Sequence, residues 1–128
     1  YPPIWGLIRV ATKEDVIGGK EIKPGDRVVM FAYGAHHNAK FWPEPEEFRP
    51  ERWMGGTKGQ VKYSYLPFGG GKRSCIGGAM SQVENTLALS MLLRRFRPEY
   101  LGKELPGFSG TVTLTPKGGL MFRVRELS

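Results

Sequence analysis

Cys75 is the single cysteine among 128 residues, and it lies in the run Phe68-Gly69-Gly70-Gly71-Lys72-Arg73-Ser74-Cys75-Ile76-Gly77. A lone cysteine makes no internal disulfide, so its value lies in the thiol or in packing as a small apolar side chain. Its neighbours point to the thiol. Three consecutive glycines free the backbone for left-handed or bulged conformations and let it approach a flat ligand closely. Cys75 falls where an apolar helix begins, so free N–H groups at Gly77 and Gly78, with the positive end of the helix dipole, favour a thiolate. The sulfur then becomes a soft anionic metal ligand. Arg73 carries a planar fork suited to a carboxylate, Lys72 adds charge, and Phe68 offers an apolar wall on the sulfur's side.

The elements that must hold this run are readable on either side of it. Downstream, residues 76–97 carry Ile76, Met80, Val83, Leu87 and Met91 as one apolar stripe, widened by Leu89, Leu92, Leu93 and Phe96. The spacing predicts a long buried helix with Arg94, Arg95 and Arg97 at its C-terminal end and Pro98 as its stop. Met80 and Met91 read as core filler. Upstream, Tyr1-Pro2-Pro3 forbids helix, residues 7–11 read as a strand, and 16–22 read as a hairpin turning at Gly18-Gly19. Lys23-Pro24-Gly25-Asp26 is a turn, and 27–31 read as an inner strand. Residues 32–40 suit a short helix. Prolines and aromatics between 41 and 59 predict an irregular but packed coil. Beyond Pro98, alternation over 111–115, a turn at 116–119 and a return over 120–124 predict a closing hairpin.

Composition narrows the function classes. An apolar content of 40% with scattered charge fits a globular chain. The net charge of +7 is spread along the sequence, with no nucleic-acid-binding motif, so no nucleic-acid partner is expected. Lys58, Lys62, Lys72 and Arg73 do gather before the cysteine, which on charge alone is an ordinary solvated surface. No run is long enough to span a bilayer, which leaves localisation open. A phosphate loop fails because Leu66 stands at its first glycine and Arg73 follows Lys72. A cysteine hydrolase lacks a placed histidine, since nothing in the sequence links His36 or His37 to Cys75. As adjacent residues those two histidines face apart, which favours a structural role over a shared metal.

The run Phe68, Gly71, Arg73, Cys75, Gly77 matches F-x-x-G-x-R-x-C-x-G at every fixed position and so resembles the haem-ligand loop of the cytochrome P-450 superfamily. The likeness extends along the chain. Tyr1-Pro2-Pro3, Arg9, Gly18-Gly19 and Pro24-Gly25-Asp26 resemble the family's strand region. Residues 34–38 resemble its H-R-D-P segment, with His37 and Asn38 in place of arginine and aspartate. Pro50-Glu51-Arg52-Trp53 resembles the P-E-R-F of its meander.

The resemblance implies an α+β piece, the C-terminal part of the mainly helical cytochrome P-450 fold. Its divisions are a β region (1–31), a short helix and meander (32–65), the haem-ligand loop (66–77), a helix (76–97) and hairpins (98–128). It implies Cys75 as axial thiolate of haem b iron, Arg73 and Arg9 on the propionates, Phe68 shielding the sulfur, and Gly71 and Gly77 leaving room for the porphyrin. Arg52 would complete a buried ion triad with an E-x-x-R helix that this chain lacks, which suggests a fragment of a larger protein. Ile4, Gly6, Val112 and Thr113 would be substrate contacts, although an exposed hairpin tip explains the last two as well. No catalytic residue is expected here, because the family's proton-delivery groups lie upstream of the matched region.

The implied activity of the full-length parent is insertion of one atom of O2 into an apolar small molecule. Electrons would come from NAD(P)H through a ferredoxin or flavoprotein reductase docked on the basic, cysteine-side face. A haem-thiolate isomerase or peroxygenase and an inactive fragment are the alternatives.

Overall fold

The computed structural model describes residues 1–56, 59–110 and 113–127. The chain divides into two units, Tyr1–Gly69 and Gly70–Ser128.

The first unit runs β1 (Leu7–Val10), β2 (Asp15–Ile17), β3 (Lys20–Ile22), β4 (Arg27–Met30) and a short helix α1 (Ala32–His36). β2 and β3 form the expected hairpin, with Gly18 and Gly19 at φ +58° and +77°, the two left-handed positions that a tight two-residue turn demands. The next turn is closed by Asp26, whose carboxylate accepts from the Lys23 N–H while its own N–H donates to the Lys23 carbonyl. β4 thereby returns antiparallel to β1, Leu7 opposite Met30 and Arg9 opposite Val28. β4 is not the inner strand expected for 27–31. Among the described residues it pairs with β1 alone, and Val29 and Met30 are exposed. β-branched residues favour a pleated backbone but do not determine how many neighbours it acquires.

From α1 to residue 65 the backbone is irregular apart from a 3-10 turn at Pro50–Trp53. Aromatic packing takes the place of ladders. Trp42 is buried and donates its indole N–H to the Ser64 carbonyl at 3.2 Å. Trp53 and Tyr65 lie against it, with ring centroids 5.5 and 6.0 Å from Trp42 and 4.5 Å from each other. These rings tie the meander to the segment that leads into Phe68.

The second unit holds a 3-10 turn at Gly71–Arg73, then α2 (Gly78–Arg95), β5 (Phe96–Tyr100), β6 (Phe108–Gly110), β7 (Leu114–Pro116) and β8 (Phe122–Glu126). α2 is the helix expected over 76–97, entered two residues later and left two residues earlier. Pro98 ends it from two residues away, with Phe96 already extended at φ −133°, ψ 147°. A residue before proline avoids the helical region, so Arg97 has to be extended and the break falls ahead of it. Pro98 continues into β5, opposite Val124.

The burial expected for α2 is corrected. Met80, Leu87 and Met91 are 66%, 57% and 69% exposed, and Gly78 is its one buried residue. The apolar stripe exists, but among the described residues the main element against α2 is β5, the strand that follows it. A sequence pattern shows that a face is apolar, whereas a neighbour is needed to bury it.

The closing strands also pair differently from expectation. β7 returns to β6, Ser109 opposite Thr115, and β8 lies along β5, Tyr100 opposite Phe122. The turn at 116–119 forms, with Gly118 and Gly119 at φ +74° and +76°, but β8 pairs with β5 and not with β7; residues 111 and 112 of the expected strand lie outside the described residues. Alternation identifies strands without naming their partners.

Candidate functional site

The loop from Leu66 to Gly77 is built from glycine conformations. The Gly69 N–H donates to the Leu66 carbonyl at 3.2 Å with Gly69 at φ +74°, turning the chain just after Phe68. Gly70 is extended, and Gly71 returns to the left-handed region at φ +68° to open the 3-10 turn that carries Lys72 and Arg73. The Ser74 N–H closes that turn on the Gly71 carbonyl at 3.1 Å. Cys75 follows as an exposed free thiol, three residues ahead of the first residue of α2.

One expectation about the sulfur changes. The Gly78 N–H is not free to face it, because it donates to the Cys75 carbonyl at 3.3 Å. The turn into the helix uses that amide itself, and Gly77 serves as N-cap without a side chain.

A Cβ on Gly77 would lie 3.8 Å from Cys75 Sγ, an ordinary contact, and a Cβ on Gly71 would meet nothing within 4 Å, so at Gly71 it is the left-handed backbone that calls for glycine. Among the described residues no group of three or more His, Cys, Asp or Glu side chains is arranged to hold a metal ion. Cys75 is therefore a single soft donor, which suits a metal that brings its other ligands with it. The residues present fit haem.

Gly71, Arg73, Cys75 and Gly77 come together in the second unit, where Arg73 is exposed. Phe68 ends the first unit half-buried. Arg9 is exposed on β1 and donates to the carbonyl of its neighbour Ile8 at 2.9 Å. Ile4 is half-buried just before that strand. Gly6 faces β4 so closely that a Cβ would lie 3.3 Å from Val29 Cγ1. Thr113 is exposed, and Val112 lies outside the described residues, as does Lys58 of the basic cluster.

Arg52 is engaged locally. Its guanidinium donates to the carbonyls of Pro43 and Glu44 at 2.5 and 2.6 Å. Glu44 is left-handed at φ +50°, unusual for a residue with a side chain, and the Arg52 bridge with an ion pair from its carboxylate to Arg49 holds it there.

The two histidines part company as their adjacency implies. His37 stacks on Tyr33 at 4.1 Å, and its Nδ1 lies 2.8 Å from the Tyr33 carbonyl. Tyr1 donates its hydroxyl to Glu46 at 2.9 Å, and that bond, with burial, pushes the phenol up to about 12. His36 instead turns toward Tyr65 and the ligand loop, where its Nε2 accepts the Leu66 N–H at 2.7 Å. Sequence reasoning gave it no such task. A hydrogen bond across 30 residues has no local signature in the sequence.

Two open depressions lie elsewhere. One of about 360 Å³ is lined by Arg97, Pro98, Glu99 and Arg125, and one of about 540 Å³ by Glu14, Asp15, Val16, Glu21, Ile22 and Lys23. Neither includes the cysteine, and the first is a charged surface unsuited to an apolar ligand. Among the described residues no helix is long and apolar enough to cross a membrane.

The family profile described as Cytochrome P450 matches residues 1–122. A Streptomyces melanosporofaciens protein named cyclooctat-9-en-7-ol 5-monooxygenase is 37% identical over 98 residues, covering 76% of this chain and 21% of that protein. Cytochrome P450 4V2 of Mus musculus is 31% identical over 128 residues, covering 98% of this chain and 24% of its own length. Among solved structures, the cytochrome P450DA heme domain superposes with a TM-score of 0.86 at 31% identity, covering 98% of this chain and 28% of that one. The chain thus spans about a quarter of the relatives it matches. With the ligand-loop residues in unbroken order and a family match over nearly its whole length, this chain belongs to the cytochrome P450 family.

Proposed function

We propose that this chain is the haem-binding portion of a haem-thiolate monooxygenase, with Cys75 as the axial ligand of haem b. One observation carries the reading: an exposed free sulfur three residues ahead of α2, just beyond a 3-10 turn that Gly71 opens with a left-handed backbone and that carries Arg73. When bound, the haem supplies the oxygen chemistry, helped by electron donation from a thiolate.

The chain's own residues bind and orient. Cys75 holds the iron, Arg73 and Arg9 receive the propionates through charge-assisted hydrogen bonds, and Phe68 excludes water from the sulfur. Gly71 and Gly77 leave room for the porphyrin. Arg52 braces the meander on two carbonyls, and its remaining N–H groups serve the ion triad of a longer parent. Ile4, Gly6, Val112 and Thr113 are the candidate contacts for an apolar substrate. Lys62, Lys72 and Arg73 steer an acidic ferredoxin or flavoprotein reductase that relays electrons from NAD(P)H.

The test is the visible spectrum of the reduced, CO-treated protein, taken on a longer product containing this chain. A strongly red-shifted Soret band is expected, and it should disappear in Cys75→Ala and Cys75→His. Retention of the band in Cys75→Ala would end the proposal. A second reading, in which the 128-residue chain alone holds no haem, is favoured by the exposed apolar face of α2. It predicts the band in the longer product and none in the short chain.

A further inference from the structure

His36 lies on α1, far in sequence from the ligand loop, yet its ring meets the loop's entry. Its Nε2 accepts the Leu66 N–H at 2.7 Å, and its ring lies 4.9 Å from that of Tyr65. The position of this bond gives it weight. Pro67 has no N–H, so Leu66 offers the last backbone donor before Phe68. The Leu66 carbonyl is already taken by the Gly69 N–H in the turn that follows. Two residues earlier, the Ser64 carbonyl is held by the Trp42 indole. The segment 64–66 is thus pinned by a donor from Trp42 and an acceptor from His36, with the Tyr65 ring seated among His36, Trp42 and Trp53.

The acceptor role fixes the state of the ring. Nε2 receives a proton only if it carries none, so His36 is the neutral Nδ1–H tautomer. The groups bearing on it agree. Burial and the positive charges of the amino terminus and His37 lower its pKa to about 4. Tyr65, the titratable ring against it, is raised by burial and stays neutral. Glu46, the carboxylate of this neighbourhood, faces His37 and Tyr1.

We propose that His36 is a positioning residue for the ligand loop: as a neutral acceptor it fixes Leu66, and through Leu66 the path of Pro67, Phe68 and Gly69 toward Cys75. The proposal rests on the haem-thiolate reading for its consequence, though the bond itself does not depend on it. A protonated ring presents a second donor to the Leu66 N–H, and the entry to the loop is released. A phenyl ring keeps the packing against Tyr65 but leaves a part-buried N–H without its acceptor.

The first measurement is a through-hydrogen-bond scalar coupling between the Leu66 amide nitrogen and His36 Nε2 in the ¹⁵N-labelled longer protein containing this chain. Its absence would overturn the proposal whatever the haem does. The second compares His36→Phe with His36→Gln in the same haem-loaded protein. His36→Phe is expected to convert from the red-shifted CO form to the unshifted one about tenfold faster, as the loss of one such hydrogen bond implies, and His36→Gln to restore most of the difference. The unsubstituted protein is expected to make the same conversion as pH falls toward 4, and His36→Phe to lack that step. A His36→Phe protein with unchanged conversion rate and pH profile would refute the positioning role. If that variant does not fold, the coupling and the His36→Gln profile decide. Loss of the red-shifted form with Cys75 intact and the coupling present would instead count against the haem-thiolate reading.

Discussion

The two units achieve order by different means. In Tyr1–Gly69 the two strand pairs and the short α1 are followed by a long irregular stretch, yet Ala32, Trp42 and Ser64 are buried, and side chains reach across 22 and 30 residues to hold backbone groups. In Gly70–Ser128 regular structure is abundant, with an eighteen-residue helix and two strand pairs, yet the helix leaves its apolar stripe exposed. Secondary structure and burial are therefore separable. Both units carry two antiparallel ladders; the first adds side-chain bonds from Trp42 and His36 to distant backbone, and the second adds a long helix with an uncovered apolar stripe.

That contrast predicts a large asymmetry between two substitutions. Trp42→Ala removes a buried indole, its bond to Ser64 and its contacts with Trp53 and Tyr65, and should cost about 3–5 kcal/mol. Leu87→Ala, on the exposed stripe, should stay within about 0.5 kcal/mol in this chain. Amide exchange of residues 61–66 and of α2 reads the two units separately. Equal losses would break the comparison. If Leu87→Ala becomes costly only in a longer protein, a neighbour has covered the stripe.

The first unit should also be the one that responds to pH. His36 is depressed to about 4 from an ordinary value of 6.5, so its contribution is complete above pH 6.5 and is lost as pH falls through 4. Tyr1 is raised to about 12 from 10, so its contribution is present below pH 10 and is lost as pH rises through 12. Exchange rates of the Leu66 amide should rise at the acid end and those near Tyr1 at the alkaline end. His36→Phe and Tyr1→Phe should each remove one limb alone.

What could be read from the sequence follows the same division. The glycine turns at 18–19 and 118–119, the helix and the spacing of Gly71, Arg73, Cys75 and Gly77 are local, and each lies where its residue types require. Pairing and burial are not local. Residues 120–124 carried a good strand pattern but no indication that their partner was β5. The apolar period of α2 indicated a face to be covered without saying whether anything in this chain covers it. His36 was readable as structural, but its acceptor role depends on Leu66, 30 residues away. Arg52 matched a motif, yet its observed partners are the carbonyls of Pro43 and Glu44, which no side-chain pattern announces.

Within the ligand loop the local rule can be tested on neighbouring glycines. Gly71 is left-handed at φ +68° and meets nothing within 4 Å, whereas Gly70 is extended at φ −161°. Gly71→Ala should therefore cost about 1–2 kcal/mol through backbone strain alone, and Gly70→Ala should incur no such strain. The 3-10 turn carrying Arg73 is the reporter, through exchange of the Ser74 amide that closes it. Equal effects at the two positions would mean that crowding, and not backbone conformation, selects glycine here.

The smallest effect is expected on the ladder of the second unit. Glu99 on β5 faces Arg125 at 3.3 Å and Arg123 at 3.8 Å, and all three side chains are more than half exposed. Next to them Arg97 stands directly opposite Arg125, a like-charged pair that opposes the strand pairing. Glu99→Gln removes the acid that offsets this repulsion, but exposed pairs contribute only about 0–1 kcal/mol each. The loss should therefore be at most about 1 kcal/mol at low ionic strength and should vanish near 1 M salt, where screening acts within about 3 Å. A larger, salt-independent loss would show that β5 and β8 depend on side-chain contacts as the first unit does, and the contrast between the two units would no longer hold.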